Sequence, residues 1–233
     1  MTAFLFDVDG TLTPPRGVMS KEFKNFFGSW INTQKGIGNS VFLVTGSNKQ
    51  KTVQQIGLPL YRLVNGCYQN CGNQLYERNS LVKQSPWNTP LILTIDIMDL
   101  VNESQWCGRA ANNIEDRVGM MNISTVGRDA DNELRKEYFT WDKQNKERER
   151  IVGQLSVKYP ELEFSIGGEI SIDIYPKGKD KSQILSDMAG RTVFFGDSCH
   201  QDGNDYHIAN KADKHYCVTG WKETKSILET HYG

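Results

Sequence analysis

Two aspartates at the end of one apolar run are where chemistry begins in this chain. Ala3-Phe4-Leu5-Phe6 leads directly into Asp7-Val8-Asp9-Gly10-Thr11. A strand that is apolar throughout is covered on both faces, and alternate residues at its end project from the same edge. Asp7 and Asp9 would then hold two carboxylates close together, which is costly without a cation. One magnesium ion would offset their repulsion, and a carboxylate can attack phosphorus to give an aspartyl-phosphate. Read in isolation, the same residues could equally be an acidic turn in which Gly10 supplies backbone freedom.

Three further pieces could converge on a phosphoryl group. Thr45-Gly46-Ser47 follows the apolar Val41 to Val44 run, and its hydroxyls and N–H groups open a helix. A lysine within Lys177-Gly178-Lys179-Asp180-Lys181 precedes another helical pattern, and Gly196-Asp197 with Gly203-Asn204-Asp205 adds carboxylates and polar groups. Singly, each is an ordinary turn, solvated lysine or cap. Their order, acid pair, hydroxyl, lysine and acid, is what argues for a phosphoryl site.

The elements that must position them follow βαβ grammar. Ala3 to Val8 reads as a strand, Ser20 to Gln34 as a helix with Phe23, Phe26, Phe27, Trp30 and Ile31 on one side, and Val41 to Val44 as a strand. A helix near Asn48 to Ile56 and a strand near Tyr61 to Val64 complete the first third. The pattern returns with Lys181 to Met188 as a helix, Thr192 to Phe195 and His215 to Val218 as strands, and Lys222 to Leu228 as a helix. This predicts an α/β fold, a doubly wound parallel sheet of Rossmann-like type with its site at the carboxyl ends of the strands.

Between these halves the pattern changes. Pro90 to Val101 is helical, Arg117 to Val126 and Leu162 to Tyr175 read as strands, and Asp142 to Tyr159 reads as a helix whose charge run Lys143 to Arg150 is a solvated face. Ser171-Ile172-Asp173-Ile174-Tyr175 alternates, as in an antiparallel sheet with one open face. The expected organisation is a core of residues 1–83 and 178–233 with an inserted α+β cap of residues 84–177.

Composition excludes several classes of partner. A net charge of −1 over 233 residues gives no basic surface for nucleic acid, and no window reaches the length of a membrane span, so a cytoplasmic enzyme is expected. The five cysteines are odd in number and scattered. Cys67 and Cys71 could form half a metal site, but no second pair matches, and reduced structural thiols are the simpler reading. His200 and His207 read as surface or loop histidines, since magnesium prefers oxygen.

With its four pieces in this order the chain resembles the haloacid dehalogenase-like phosphotransferase superfamily. Within it, the whole chain resembles the eukaryotic-type phosphomannomutase family. The resemblance rests on Phe6 to Thr13, Pro15-Arg16, Met121-Asn122-Ile123-Ser124, Val126-Gly127-Arg128, Phe164 to Gly168, Ile170 to Asp173 and Phe194 to Asp197. The cap segments are the more specific, because members with other substrates share only the core.

The resemblance implies that Asp7 is the phosphorylated nucleophile and Asp9 the general acid/base. It implies a magnesium ion held by the side chains of Asp7 and Asp197 and the backbone carbonyl of Asp9, with Asp205 a further metal-site residue that, like Ser47 and Asn204, matches a core position. Lys181 would neutralise phosphoryl charge. Arg16, Arg117, Arg128 and Arg135 match positions that hold a sugar phosphate, and Ser171 and Asp173 match positions that contact it. Guanidinium forks suit a phosphate dianion; by spacing alone Arg128 and Arg135 could instead pair with Asp129, Asp131 and Glu133.

The implied activity interconverts mannose 6-phosphate and mannose 1-phosphate through a hexose 1,6-bisphosphate, which also serves as activator, and supplies GDP-mannose synthesis. The implied assembly is a homodimer through the cap, with Leu91, Leu93, Ile95, Met98 and Leu100 at the interface or in the core. A sugar-phosphate phosphatase of the same superfamily would share every core residue, and a non-catalytic sugar-phosphate sensor is the alternative from another class. Thr45 stands where the family has glycine, so either Thr45 or Ser47 could meet the phosphate. The Asp197 to Asp205 loop lacks the family's usual Lys-Thr, and lysines between Ile208 and Lys214 stand near its second cation site.

Overall fold

The computed structural model describes residues 1–201 and 203–233. Its chain divides into two compact units: Met1–Ser85 with Lys179–Gln201 and Asp205–Gly233 form the first, and Pro86–Gly178 the second, with which Gly203 and Asn204 group.

The first unit is built around β1 (Thr2–Phe6), which shows why an uninterrupted apolar run is needed at a sheet centre. Phe4 and Phe6 enter one buried cluster with Phe23, Phe27, Trp30 and Leu228, while Ala3 and Leu5 enter another with Ile184, Ile208 and Ala209. Each fully buried Phe or Leu contributes roughly 1.5–3 kcal/mol against solvent exposure. Sequence neighbours in the unit are α1 (Lys21–Gly36), β2 (Ser40–Val44), α2 (Lys49–Ile56), α3 (Leu58–Leu63), β3 (Gly66–Gln69), β4 (Gln74–Glu77) and β5 (Ser80–Gln84).

The second unit contains α4 (Leu91–Asn102), β6 (Ile114–Arg117), β7 (Met120–Ser124), α5 (Asn132–Asn145), α6 (Glu147–Lys158), β8 (Leu162–Gly167) and β9 (Ser171–Pro176). The chain then returns to the first through a 3-10 segment at Lys181–Asp187, β10 (Arg191–Gly196), α7 (Tyr206–Lys211), β11 (Lys214–Cys217) and α8 (Trp221–Tyr232). The core sheet runs β11-β10-β1-β2-β3-β4-β5, parallel as far as β3 and antiparallel beyond it. The strand order reverses around β1, so the loops after β1, β2 and β10 open at one edge.

Several expected elements differ. The residues near Tyr61 to Val64 form helix α3, because Gly57 turns at φ 87 and Pro59 favours a first helical turn. The strand expected there is β3, whose Gly66 has no room for a side chain beside Leu75 and Phe42. Arg117 to Val126 folds as a hairpin about Gly119, with φ 74. Lys181 opens a 3-10 segment capped by Asp180 rather than an α-helix.

The second sheet, β6-β7-β9-β8, is antiparallel throughout. Met121, Ile123, Ile172 and Ile174 face a buried cluster shared with Leu93, Ile97 and Val101 of α4 and Ile151 and Leu155 of α6. The alternate residues Asn122 and Asp173 are cross-strand partners on the other face. The charge run is not simply a solvated face. Lys146, at φ 55, ends α5 and starts α6, and turns Glu147 and Arg148 inward. Arg148 pairs with Asp142 at 2.7 Å and donates to Gly168 O at 3.0 Å, while Tyr138 donates to Glu147 at 3.0 Å. A long helix cannot continue where its reversal has two buried charges to satisfy.

Candidate active site

The carboxyl ends of β1 and β10 and the start of α7 bring Asp7, Asp197 and Asp205 together. One carboxylate oxygen from each lies within 4.8 Å of the others. Asp7 stays in register, its N–H bonding to Phe195 O at 2.9 Å, before the loop turns away. Gly10 is required there twice over. Its φ is 85, and a Cβ would meet the Asp197 carboxylate.

Lys181 crosses to this cluster from the 3-10 segment and is only 1% exposed. Its ammonium lies 2.6 Å from Asp7 Oδ1 and 2.7 Å from Asp205 Oδ1. Burial works against its charge, but Asp205 and Asp7 outweigh that and hold its pKa well above the usual lysine range. Burial raises Asp7 well above the carboxylate range, and the charges of Asp205 and Asp197 add to this against the opposing Lys181. Asp197 is solvent-exposed at one edge yet walled by protein; desolvation first, then Asp205, lift its pKa to about 6.

Three carboxylates and one ammonium leave an excess of two negative charges when all are ionised. An all-oxygen donor set of that charge fits a hard divalent cation. Asp205 has both oxygens committed, one to Lys181 and one to the Ser198 N–H at 3.2 Å. It therefore stands behind the other two, aligning Lys181 and the Asp197 loop.

Asp9 is held differently. Its oxygens accept from Lys51 Nζ at 2.5 Å, Gln55 Nε2 at 2.8 Å and the Arg16 N–H at 2.5 Å. Burial opposes its ionisation, but the Lys51 charge and these hydrogen bonds win, and its pKa is lowered. Arg16 itself adopts φ 57 on the loop after β1. Ser47 is buried, and its N–H donates to Thr45 Oγ1 at 3.1 Å, so the Thr45 hydroxyl shapes the turn. Asn204 is half-buried in the turn before α7.

In the second unit, Arg117 and Arg128 both reach Glu115 Oε2, each at 2.7 Å. Arg128 also donates to Asn122 Oδ1 and, at 2.9 Å, to Ser171 Oγ. Asn122 in turn donates to Asp173 at 2.5 Å, giving one polar row along β6, β7 and β9. Burial opposes the Glu115 charge, but the two guanidinium groups keep its pKa low. The carboxylate thus occupies a fork that suits an oxyanion.

Arg135 lies behind this row. It is 3% exposed and donates to Ala130 O at 2.7 Å and Arg128 O at 2.6 Å. These bonds shape the loop that carries Arg128. The acidic neighbours have other duties: Asp131 caps α5 at Leu134 N, and Asp129 accepts from Asn112.

A family model described as eukaryotic phosphomannomutase matches residues 39–232. The chain belongs to the eukaryotic phosphomannomutase family. It is 33% identical to phosphomannomutase 1 of Dictyostelium discoideum, covering 97% of this chain and 95% of that one. The Saccharomyces cerevisiae phosphomannomutase is 33% identical over 89% of this chain and 84% of its own, and the Drosophila melanogaster one 31% over 96% and 92%.

Among solved structures, a HAD subclass IIB sugar phosphatase superposes with TM-score 0.59 at 14% identity, covering 98% of both chains. A Streptococcus mutans protein gives 0.66 at 10%, also covering 98% of both. These establish the haloacid dehalogenase-like fold and no more. The chain is an enzyme of the phosphomannomutase kind.

Lys51 and Gln55 beside Asp9 in the first unit, and Glu115 and Asn122 beside Arg128 in the second, are partners that the sequence reading does not include. For the first two a signal exists: they are spaced i, i+4 on α2, so they share one face of that helix. The Lys51–Asp9 pair is partly exposed, with side chains 37% and 28% accessible, so it contributes about 1 kcal/mol or less to stability. Its main effect is on protonation. A lowered carboxylate pKa stabilises the fold above the unfolded pKa and is lost as pH falls through the folded one. Lys51→Met should therefore leave the melting temperature nearly unchanged and move the acidic limb of the kcat/KM profile to higher pH.

Proposed function

We propose that this chain interconverts D-mannose 6-phosphate and α-D-mannose 1-phosphate, by way of a hexose 1,6-bisphosphate, and supplies GDP-mannose synthesis in the cytoplasm. The observation that carries this reading over simple hydrolysis is the Arg117–Glu115–Arg128 fork. A mutase must grip the phosphate that is not reacting, and the second unit contains two guanidinium groups already converging on an oxyanion. Its substrates would be hexose phosphates, with a hexose 1,6-bisphosphate as activator.

In this mechanism Asp7 attacks phosphorus, forming an aspartyl-phosphate as the bond to the sugar oxygen breaks. Asp9 gives that oxygen a proton, and later takes one from the sugar hydroxyl that receives the phosphate back. Lys181 offsets charge on the phosphoryl oxygens. Ser47 and Asn204 bind at the core end, while Arg16, Arg117, Arg128, Ser171 and Asp173 bind the sugar phosphate. Arg135 acts through Arg128. Magnesium, held by Asp7, Asp197 and the Asp9 carbonyl with Asp205 behind them, would neutralise spreading charge and align the displacement.

The direct test supplies mannose 1-phosphate, magnesium and a trace of glucose 1,6-bisphosphate, and measures hexose 6-phosphate and free phosphate together. Isomer in excess of phosphate is expected. Free phosphate without isomer would make the chain a phosphatase, and tight binding without turnover would make it a sensor. Arg128→Ala should reduce mutase turnover by about 100-fold, the scale of losing a charged hydrogen-bond pair, while hydrolysis of an aryl phosphate changes little. Equal losses in both assays would remove the proposed phosphate grip.

We further propose a homodimer through α4. Leu93, Ile97 and Val101 are buried within the unit, whereas Leu91, Ile92 and Ile95 are exposed at 75%, 55% and 48%. An unpaired apolar face of this kind suits a second copy of the chain. Light scattering should give a dimer for the natural chain and a monomer for Ile95→Arg. A monomer in both would end the proposal.

A further inference from the structure

Two thiols flank the Asp197 loop, and no step of the proposed reaction uses them. Cys217 ends β11, an edge strand of the core sheet, and pairs in parallel register with Gly196. Register partners point to the same face. A Cβ on Gly196 would face Asp205 and Phe194, the face on which Phe194, Ile208 and Ala209 cluster. Cys199 packs against that same cluster. Its sulfur lies 3.6 Å from Gly196 O, which also accepts the Val218 N–H at 2.9 Å. Both cysteines are therefore brought to one face at the β10–β11 junction.

We propose that Cys199 and Cys217 form a reversible disulfide that fixes the Asp197 loop to the edge strand. The exposed Cys217 meets the oxidant first, since Cys199 is half-buried. A low-molecular-weight disulfide exchanges with the Cys217 thiol, releasing one small thiol and leaving a mixed disulfide. Cys199 then attacks the Cys217 sulfur and expels the second small thiol. The protein loses two electrons and two protons, and the small disulfide is reduced to two thiols. Asp197 lies two residues before Cys199, and Ser198 between them exchanges hydrogen bonds with Asp205. A crosslink at Cys199 would restrain both carboxylates.

The consequence for metal binding rests on the function proposed above, whereas the crosslink itself does not. The folded full chain would be incubated with oxidised glutathione and mapped by mass spectrometry. The expected product is a Cys199–Cys217 peptide pair, lost in Cys217→Ser and in Cys199→Ser and reversed by dithiothreitol. A mixed disulfide remaining on Cys217, with no internal link, would overturn the proposal. Magnesium-induced stabilisation should also fall severalfold in the oxidised chain and stay intact in oxidant-treated Cys217→Ser. An unchanged magnesium response in the linked protein would refute control of the Asp197 loop while leaving the crosslink standing.

Discussion

Asp7→Asn is expected to reduce turnover by about 10⁵-fold, on the scale seen when a covalent nucleophile is removed from a catalytic set. The substitution keeps the shape of the side chain but replaces the attacking oxygen with an amide. It also leaves Lys181 paired with Asp205 at 2.7 Å, so the fold keeps its buried cation. Stability should move in the opposite direction from activity. Burial raises the folded-state pKa of Asp7, so the folded chain holds a proton that the unfolded chain releases. Wild-type stability without metal should therefore fall as pH rises from the unfolded carboxylate pKa toward the folded one. Asparagine has no such proton to lose. Unfolding in EDTA across that range should show a flatter pH dependence for Asp7→Asn than for the natural chain. Retention of substantial mutase turnover, or an equally steep profile, would remove Asp7 from the nucleophile's place.

The contrast between Asp7 and its neighbours also shows which parts of the fold can be read from residues. β1, β2 and β10 are legible because each carries an apolar, largely buried run, Ala3 to Phe6, Val41 to Val44 and Val193 to Phe195. β3 is not, since Gly66-Cys67-Tyr68-Gln69 is fully buried with no strongly apolar run; steric fit against Leu75 and Phe42 selects it. The core acids and Lys181 could be found because each lies at a strand end or helix start. Their partners were harder to read. Lys51 reaches Asp9 across 42 residues, and Glu115 reaches Arg128 across a hairpin, distances that no local pattern encodes. Arg148 illustrates the converse: it sits in a run that reads as solvated, yet is buried because a left-handed residue turns the chain beside it. Arg135 likewise belongs to the arginine set by sequence, but the backbone carbonyls nearest it direct it to support the loop.

Lys181→Met should be the substitution most damaging to the fold. It removes the cation from between Asp7 and Asp205, both nearly inaccessible to water. Breaking a buried ion pair from one side costs about 3–5 kcal/mol, because the remaining charges are left in a poor solvent. For a chain of this size that corresponds to a melting temperature lower by roughly 6–20 °C. The loss should be largest without divalent cations and smaller at acid pH, where the carboxyl groups take up protons in place of the lysine. Magnesium should restore part of it at neutral pH, since the variant's excess carboxylate charge still favours a divalent ion. Activity should not return with the fold, because a cation that neutralises the carboxylates does not replace the ammonium at the phosphoryl group. Lys181→Arg provides the control: it keeps the charge, so the stability defect should shrink even if the larger guanidinium fits the buried site imperfectly. Differential scanning calorimetry in EDTA and in magnesium separates these contributions. A Lys181→Met protein that melts at the natural temperature in EDTA would mean that the buried carboxylates are neutral without their lysine, and the charge balance assigned to the site would have to be abandoned.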